Sequence, residues 1–75
     1  MFEQIRSLMA EALNVSEEEI TLETRLKEDL GIDSLDAVEL IMELEDEFNL
    51  EIDETEATKF VKVKDIIDLI EAKTA

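Results

Sequence analysis

Apolar side chains recur along the first dozen residues at helical spacing. Phe2, Ile5, Met9, Ala12 and Leu13 fall on one side of a helical wheel, with Glu3, Ser7 and Glu11 on the other. The spacing predicts a helix over residues 2–13, with Asn14 placed to stop it. Ser16 and Glu19 then have the separation of a capping box, although only a short turn can follow. Leu22, Leu26 and Leu30 recur every fourth residue, so the long connection is expected to pack down rather than float free. A second helix is predicted from Ser34 to about Phe48, and it carries two separate apolar groups. Ala37, Leu40, Ile41, Leu44 and Phe48 make a face broad enough to join a core. Leu35, Val38 and Met42 lie roughly opposite, among Glu39, Glu43, Glu45 and Asp46. A surface helix needs only one stripe to bury. The second, small and ringed with carboxylates, has the make-up of an interaction patch in which flexible Met42 adapts to different partners.

A short third helix is predicted where Asp53 and Glu56 can cap one another, with Ala57 and Phe60 as its apolar residues. The fourth runs from about Val63 to Ala72, with Val63, Ile66, Ile67 and Ile70 at i, i+3, i+4 and i+7. Lys62 stands where a capping serine or threonine is expected, which predicts a start that frays. No repeat, linker or low-complexity segment interrupts the pattern. The fold class is therefore all-α: a four-helix bundle of three longer helices and one short one, with a long loop between helices 1 and 2, in a single domain over residues 1–75.

Gly31 is the only glycine in 75 residues and there is no proline, so the most permissive backbone position falls just before the second helix. Asp33 is a good N-cap, and Asp36 three residues on can return the bond. Were Ser34 the cap, its N3 partner would be Ala37, which has no acceptor. Ser34 is thus free of structural duty, with its hydroxyl expected to face water in the first turn. Unpaired backbone N–H groups and the helix dipole favour a phosphate at that point.

Charge narrows the functional classes. The chain carries 22 acidic and 7 basic residues, a formal net charge of −15. Nucleic acid and anionic membranes are poor partners for such a surface, and basic protein surfaces are its complement. No basic residue lies between Glu28 and Thr58, so the acidic region coincides with Ser34. The absence of cysteine excludes disulfides and thiolate metal sites, and the absence of histidine removes the usual general base. Ser34 has no local histidine or lysine to activate it, so no catalytic residues and no enzyme activity are expected. Calcium binding of the EF-hand type fails as well. With Gly31 at loop position 6, positions 1 and 12 are Leu26 and Ala37, neither of them a ligand. No metal site is expected. Glu3, Arg6 and Glu11 interrupt the only early apolar stretch, and no run approaches the length of a membrane span. A cytoplasmic monomer without membrane insertion is the expectation.

The run Asp29-Leu30-Gly31-Ile32-Asp33-Ser34-Leu35-Asp36, continuing through Val38-Glu39-Leu40 to Glu45-Asp46-Glu47-Phe48, resembles the acyl carrier proteins of bacterial type II fatty acid synthesis. The likeness extends from the first helix to the last. It implies that Ser34 carries 4′-phosphopantetheine, transferred from coenzyme A by a phosphopantetheinyl transferase, with acyl intermediates held on the arm as thioesters. It also implies that the second helix meets acyl-processing enzymes through basic docking surfaces. By position, Asp33, Leu35, Asp36, Glu39, Met42, Glu45, Asp46 and Glu47 would belong to that surface, beside Val38 of the second stripe. An acyl chain is expected to enter between helices near Leu44, Ile52, Ala57 and Phe60. Three residues depart from the family pattern: Lys27 where an apolar residue is common, Asp53 where many bacterial members have proline, and Lys62. A polyketide, peptidyl or D-alanyl carrier of the same fold remains an alternative, as does an acidic adaptor or ion-binding module without a prosthetic group. Dense carboxylates and the leucine after Ser34 favour fatty-acid cargo.

Overall fold

The computed structural model describes residues 1–74, which contain four helices. Helix α1 spans Phe2–Leu13, α2 Ser34–Phe48, α3 Glu54–Ala57 and α4 Val63–Thr74, with a single 3₁₀ turn at Glu17–Glu19 in the long α1–α2 connection. The first two helices keep the predicted limits because their ends are coded locally. Each stops at an asparagine in the left-handed region, Asn14 at φ 55° and Asn49 at φ 52°. Each asparagine N–H returns to the carbonyl four residues back, and the next N–H reaches one residue further, from Val15 to Ala10 at 3.1 Å and from Leu50 to Glu45 at 3.2 Å. These bonds satisfy carbonyls that a helix end otherwise leaves open. Reciprocal capping boxes form at Ser16/Glu19, Asp33/Asp36 and Asp53/Glu56, all as the spacing predicted. Helix α4 runs two residues beyond the expected Ala72, where the Thr74 hydroxyl donates to the Ile70 carbonyl at 2.8 Å.

One core joins the helices and the connection. Ile5 and Met9 of α1, Leu44 of α2, and Val63, Ile66 and Ile70 of α4 are fully buried, and so is Ile20 from the connection. Leu8, outside the predicted apolar face of α1, is buried too. The connection does pack down, but only in part through its every-fourth leucines. Ile20, Leu26 and Ile32 are buried, Leu30 is half-buried and Leu22 is exposed. A spacing of four assumes continuous helix, and this segment is mostly turn. Buried Thr24 organises it, donating its hydroxyl to the Glu19 carbonyl at 3.0 Å while accepting the Thr21 N–H at 2.8 Å.

The start of α4 is tied down rather than frayed. The Asp65 carboxylate accepts the N–H groups of Val61 and Lys62, each at 2.9 Å. The connection supplies acceptors for the next two: Val63 donates to the Thr24 carbonyl at 3.0 Å and Lys64 to the Leu22 carbonyl at 3.1 Å. Lys62 forms an ion pair with Glu23 at 2.9 Å. The capping oxygen comes from a residue inside the helix, not from position 62. The two backbone bonds, from Lys62 first and Val61 second, hold the Asp65 carboxyl below its usual pKa. A carboxyl with a depressed folded-state pKa stabilises the fold above its unfolded value, and that contribution disappears as pH falls through the folded one. Asp65→Ala is therefore expected to cost about 1 kcal/mol at neutral pH. Its melting temperature should converge with that of the parent on acidification below the normal aspartate range; a gap that persists there would refute the capping role.

Candidate functional site

The approach to Ser34 is shaped by a tight loop. The Arg25 N–H and Nε both donate to Asp29 Oδ2, at 2.8 and 3.3 Å, and Nη2 donates to Oδ1 at 3.1 Å. Arg25 also pairs with Glu28. The Arg25 side chain, and then its backbone N–H, hold the Asp29 carboxyl below its usual pKa. The chain turns back as Asp29 donates to the Arg25 carbonyl and Gly31 to the Lys27 carbonyl, at 2.9 and 3.1 Å. Gly31 has φ +66°, a conformation costly for other residues, although a Cβ there would meet only open space. Backbone geometry therefore explains the glycine. The next residue, Ile32, is buried and donates to the Leu26 carbonyl at 3.2 Å, so the loop delivers the start of α2 from a fixed base.

At that start the division of labour between Asp33 and Ser34 is the expected one. Asp33 Oδ1 accepts the Asp36 N–H at 2.9 Å, and Asp36 Oδ2 accepts the Asp33 N–H at 3.3 Å. Ser34 is the first residue of the 15-residue helix, is exposed, and its hydroxyl has no hydrogen-bond partner among the described residues. Its own N–H and that of Leu35 are likewise unpaired at the positive end of the helix. A reachable hydroxyl beside open donors and clear space fits a phosphate-linked group.

Along α2 the two apolar faces separate as predicted. Leu40 and Leu44 are buried, whereas Leu35, Val38 and Met42 are 75%, 54% and 60% exposed. Exposed Glu39 and Asp46 share the helical sector of this second stripe. The remaining carboxylates of the predicted surface are distributed differently. Asp33 and Asp36 are engaged in the cap, and Asp36 is half-buried. Glu47 lies on the α1 side, where it lines a shallow cleft with Glu43, Glu3, Gln4, Ser7, Leu8 and Glu11. Glu45 is half-buried and turned toward the α2–α3 connection, its Oε2 accepting the Ile52 N–H at 2.8 Å. Nothing in the local pattern distinguishes Glu45 from its neighbours, because the bond depends on how the chain returns after Asn49.

Of the residues expected near an acyl chain, Leu44 and Ile52 are in the core, and Ala57 and Phe60 are half-buried against it. Phe60 also borders an open cleft of about 370 Å³ between α3 and α4, with Glu56, Lys59, Asp65, Asp68 and Leu69. Glu56 Oε1 meets Lys73 Nζ at 3.1 Å, tying α3 to the end of α4; the sequence reading did not anticipate this pair. Among the described residues no cluster of carboxylates is arranged to hold a metal ion, and no helix is long and apolar enough to cross a membrane.

Comparison with known proteins agrees with this geometry. The family described as "Phosphopantetheine attachment site" matches residues 3–70. The acyl carrier protein of Helicobacter pylori is 49% identical over 71 residues, covering 95% of this chain and 91% of its own. Those of Campylobacter concisus and Campylobacter lari are 45% and 42% identical over the same length, with 92% of each relative covered.

Proposed function

The chain belongs to the acyl carrier protein family, and on that premise we propose that Ser34 is the point at which 4′-phosphopantetheine is attached. The observation that carries this reading is the exposed, unpartnered Ser34 hydroxyl one residue inside a helix capped by Asp33. A separate phosphopantetheinyl transferase would take the hydroxyl proton. Ser34 Oγ then bonds to the pantetheine-bearing phosphorus of coenzyme A as that phosphorus's diphosphate bond breaks and adenosine 3′,5′-bisphosphate leaves. The Ser34 and Leu35 N–H groups and the α2 dipole favour the phosphodiester charge. When attached, the arm supplies a thiol on which acyl groups are carried as thioesters. Everything else required of this chain is presentation, because it is a carrier and not an enzyme.

Presentation has two parts. Leu35, Val38 and Met42 offer an exposed apolar centre, with Glu39 and Asp46 beside it for basic surfaces on successive enzymes. Exposed ion pairs contribute little individually, which suits a shuttle that must leave each partner. Tethering then delivers cargo at high effective concentration. The cargo we favour is a fatty acyl chain, carried by a cytoplasmic monomer. Part of it would be sheltered between helices near Leu44, Ile52, Ala57 and Phe60. Burial contributes about 0.8 kcal/mol per methylene. The core at Leu44 is already filled, so a longer chain must part α3 from the bundle as it enters.

Loading tests the attachment, and melting tests the shelter. Intact mass should rise by one phosphopantetheine group after incubation with coenzyme A and a transferase; an unchanged mass, under conditions that convert a control carrier, would overturn the assignment. Melting temperature should then climb with acyl length. A flat series would place the chain outside the bundle.

A further inference from the structure

The segment from Leu50 to Phe60 buries a single side chain, that of Ile52. None of the α3 side chains is fully buried, and the helix is only four residues long. Its start is closed by the capping box, in which Glu56 Oε1 accepts the Asp53 N–H at 3.3 Å while also pairing with Lys73 of α4. The connection leading into it depends on Glu45. The backbone carbonyl of Glu45 accepts the N–H groups of Asn49 and Leu50, and its side chain accepts that of Ile52. One residue thus accepts three N–H groups of the connection, and the Ile52 N–H, on a buried residue, has its acceptor in that carboxylate.

We infer that Glu45 is a positioning residue: its carboxylate clips the α2–α3 connection to α2 and sets how readily residues 50–60 leave the core. This rests on the proposed carrier function, since those residues include Ile52, Ala57 and Phe60 of the expected acyl shelter. It assigns Glu45 work different from its exposed neighbours Glu39 and Asp46, whose carboxylates face solvent. Loss of a part-buried acceptor leaves the Ile52 N–H unsatisfied, a penalty large enough to change local opening about tenfold.

The test is amide exchange in the chain without its arm, comparing Glu45→Ala and Glu45→Gln. Glutamine keeps an acceptor oxygen and removes the charge, so the pair separates clipping from docking electrostatics. Glu45→Ala should speed exchange at the Ile52 amide roughly tenfold and raise it through α3, with α1 and α4 amides little changed. Glu45→Gln should stay much closer to the parent. Equal acceleration by both variants, no acceleration by Glu45→Ala, or uniform acceleration across all helices would each overturn the clip. These readings need no acyl group, so they stand apart from the carrier assignment. With a long acyl chain attached, Glu45→Ala should gain more melting temperature than Glu45→Gln, because no clip has to be broken for α3 to part from the bundle; absence of any gain in the parent would instead count against the internal shelter.

Discussion

Ser34→Ala is expected to remain at its unmodified mass under conditions that load the parent completely, while folding and melting like it. The first half follows from chemistry, since alanine has no oxygen with which to form the phosphodiester. The other two serines do not replace it. Ser16 is itself an N-cap, its Oγ accepting the Glu18 N–H at 3.3 Å, and Ser7 lies in the middle of α1, away from any helix N-terminus. The second half follows from the absence of structural duty. Ser34 is exposed and its hydroxyl bonds to nothing among the described residues, and alanine is the slightly better helix former by a few tenths of a kcal/mol. Asp33→Ala provides the converse. It removes the acceptor for the Asp36 N–H and should lower stability by about 1 kcal/mol. Intact mass and thermal melting of the two variants, side by side, check both statements. A Ser34→Ala protein that still gains mass would move the attachment elsewhere, and one that melts well below the parent would make Ser34 a cap after all.

That separation of roles is legible in the sequence because it depends on residues three apart. The capping boxes at Asp33/Asp36 and Asp53/Glu56, and the limits of α1 and α2, rest on the same short-range chemistry. The second stripe of α2 was equally legible, since 3.6 residues per turn places Leu35, Val38 and Met42 opposite Leu40 and Leu44. What escaped were contacts made by distant segments. Lys62 looked like a missing cap because Glu23, 39 residues earlier, and the carbonyls of Leu22 and Thr24 arrive only through the fold. Leu22 looked like core because helical spacing was applied to a segment of turns; burial went instead to Ile20 and Ile32 on either side of the loop. Glu45 looked like one more docking carboxylate. Its bond to Ile52 spans seven residues across a left-handed turn at Asn49, a direction that no periodicity encodes.

Leu44→Ala and Leu35→Ala make the sharpest test of how α2 is oriented. The two leucines stand on the same helix, and each loses the same atoms on substitution. Leu44 is fully buried against the core, whereas Leu35 is 75% exposed. Truncating a fully buried leucine removes its transfer energy and leaves a cavity, at about 2–5 kcal/mol. A domain of this size has roughly 4–11 kcal/mol in total, so Leu44→Ala removes a large share of it. With about 4–8 °C lost per kcal/mol in a small domain, melting should fall by at least ~8 °C. Leu35→Ala should stay within about 0.5 kcal/mol of the parent, because water already surrounds that side chain. Its effect belongs at the interface, as slower loading by the transferase at limiting carrier concentration. Under the proposed function, one helix would divide stability from recognition by side. Comparable melting losses in both variants would mean that the Leu35 side of α2 is covered. The exposed stripe could not then be the surface that partners meet.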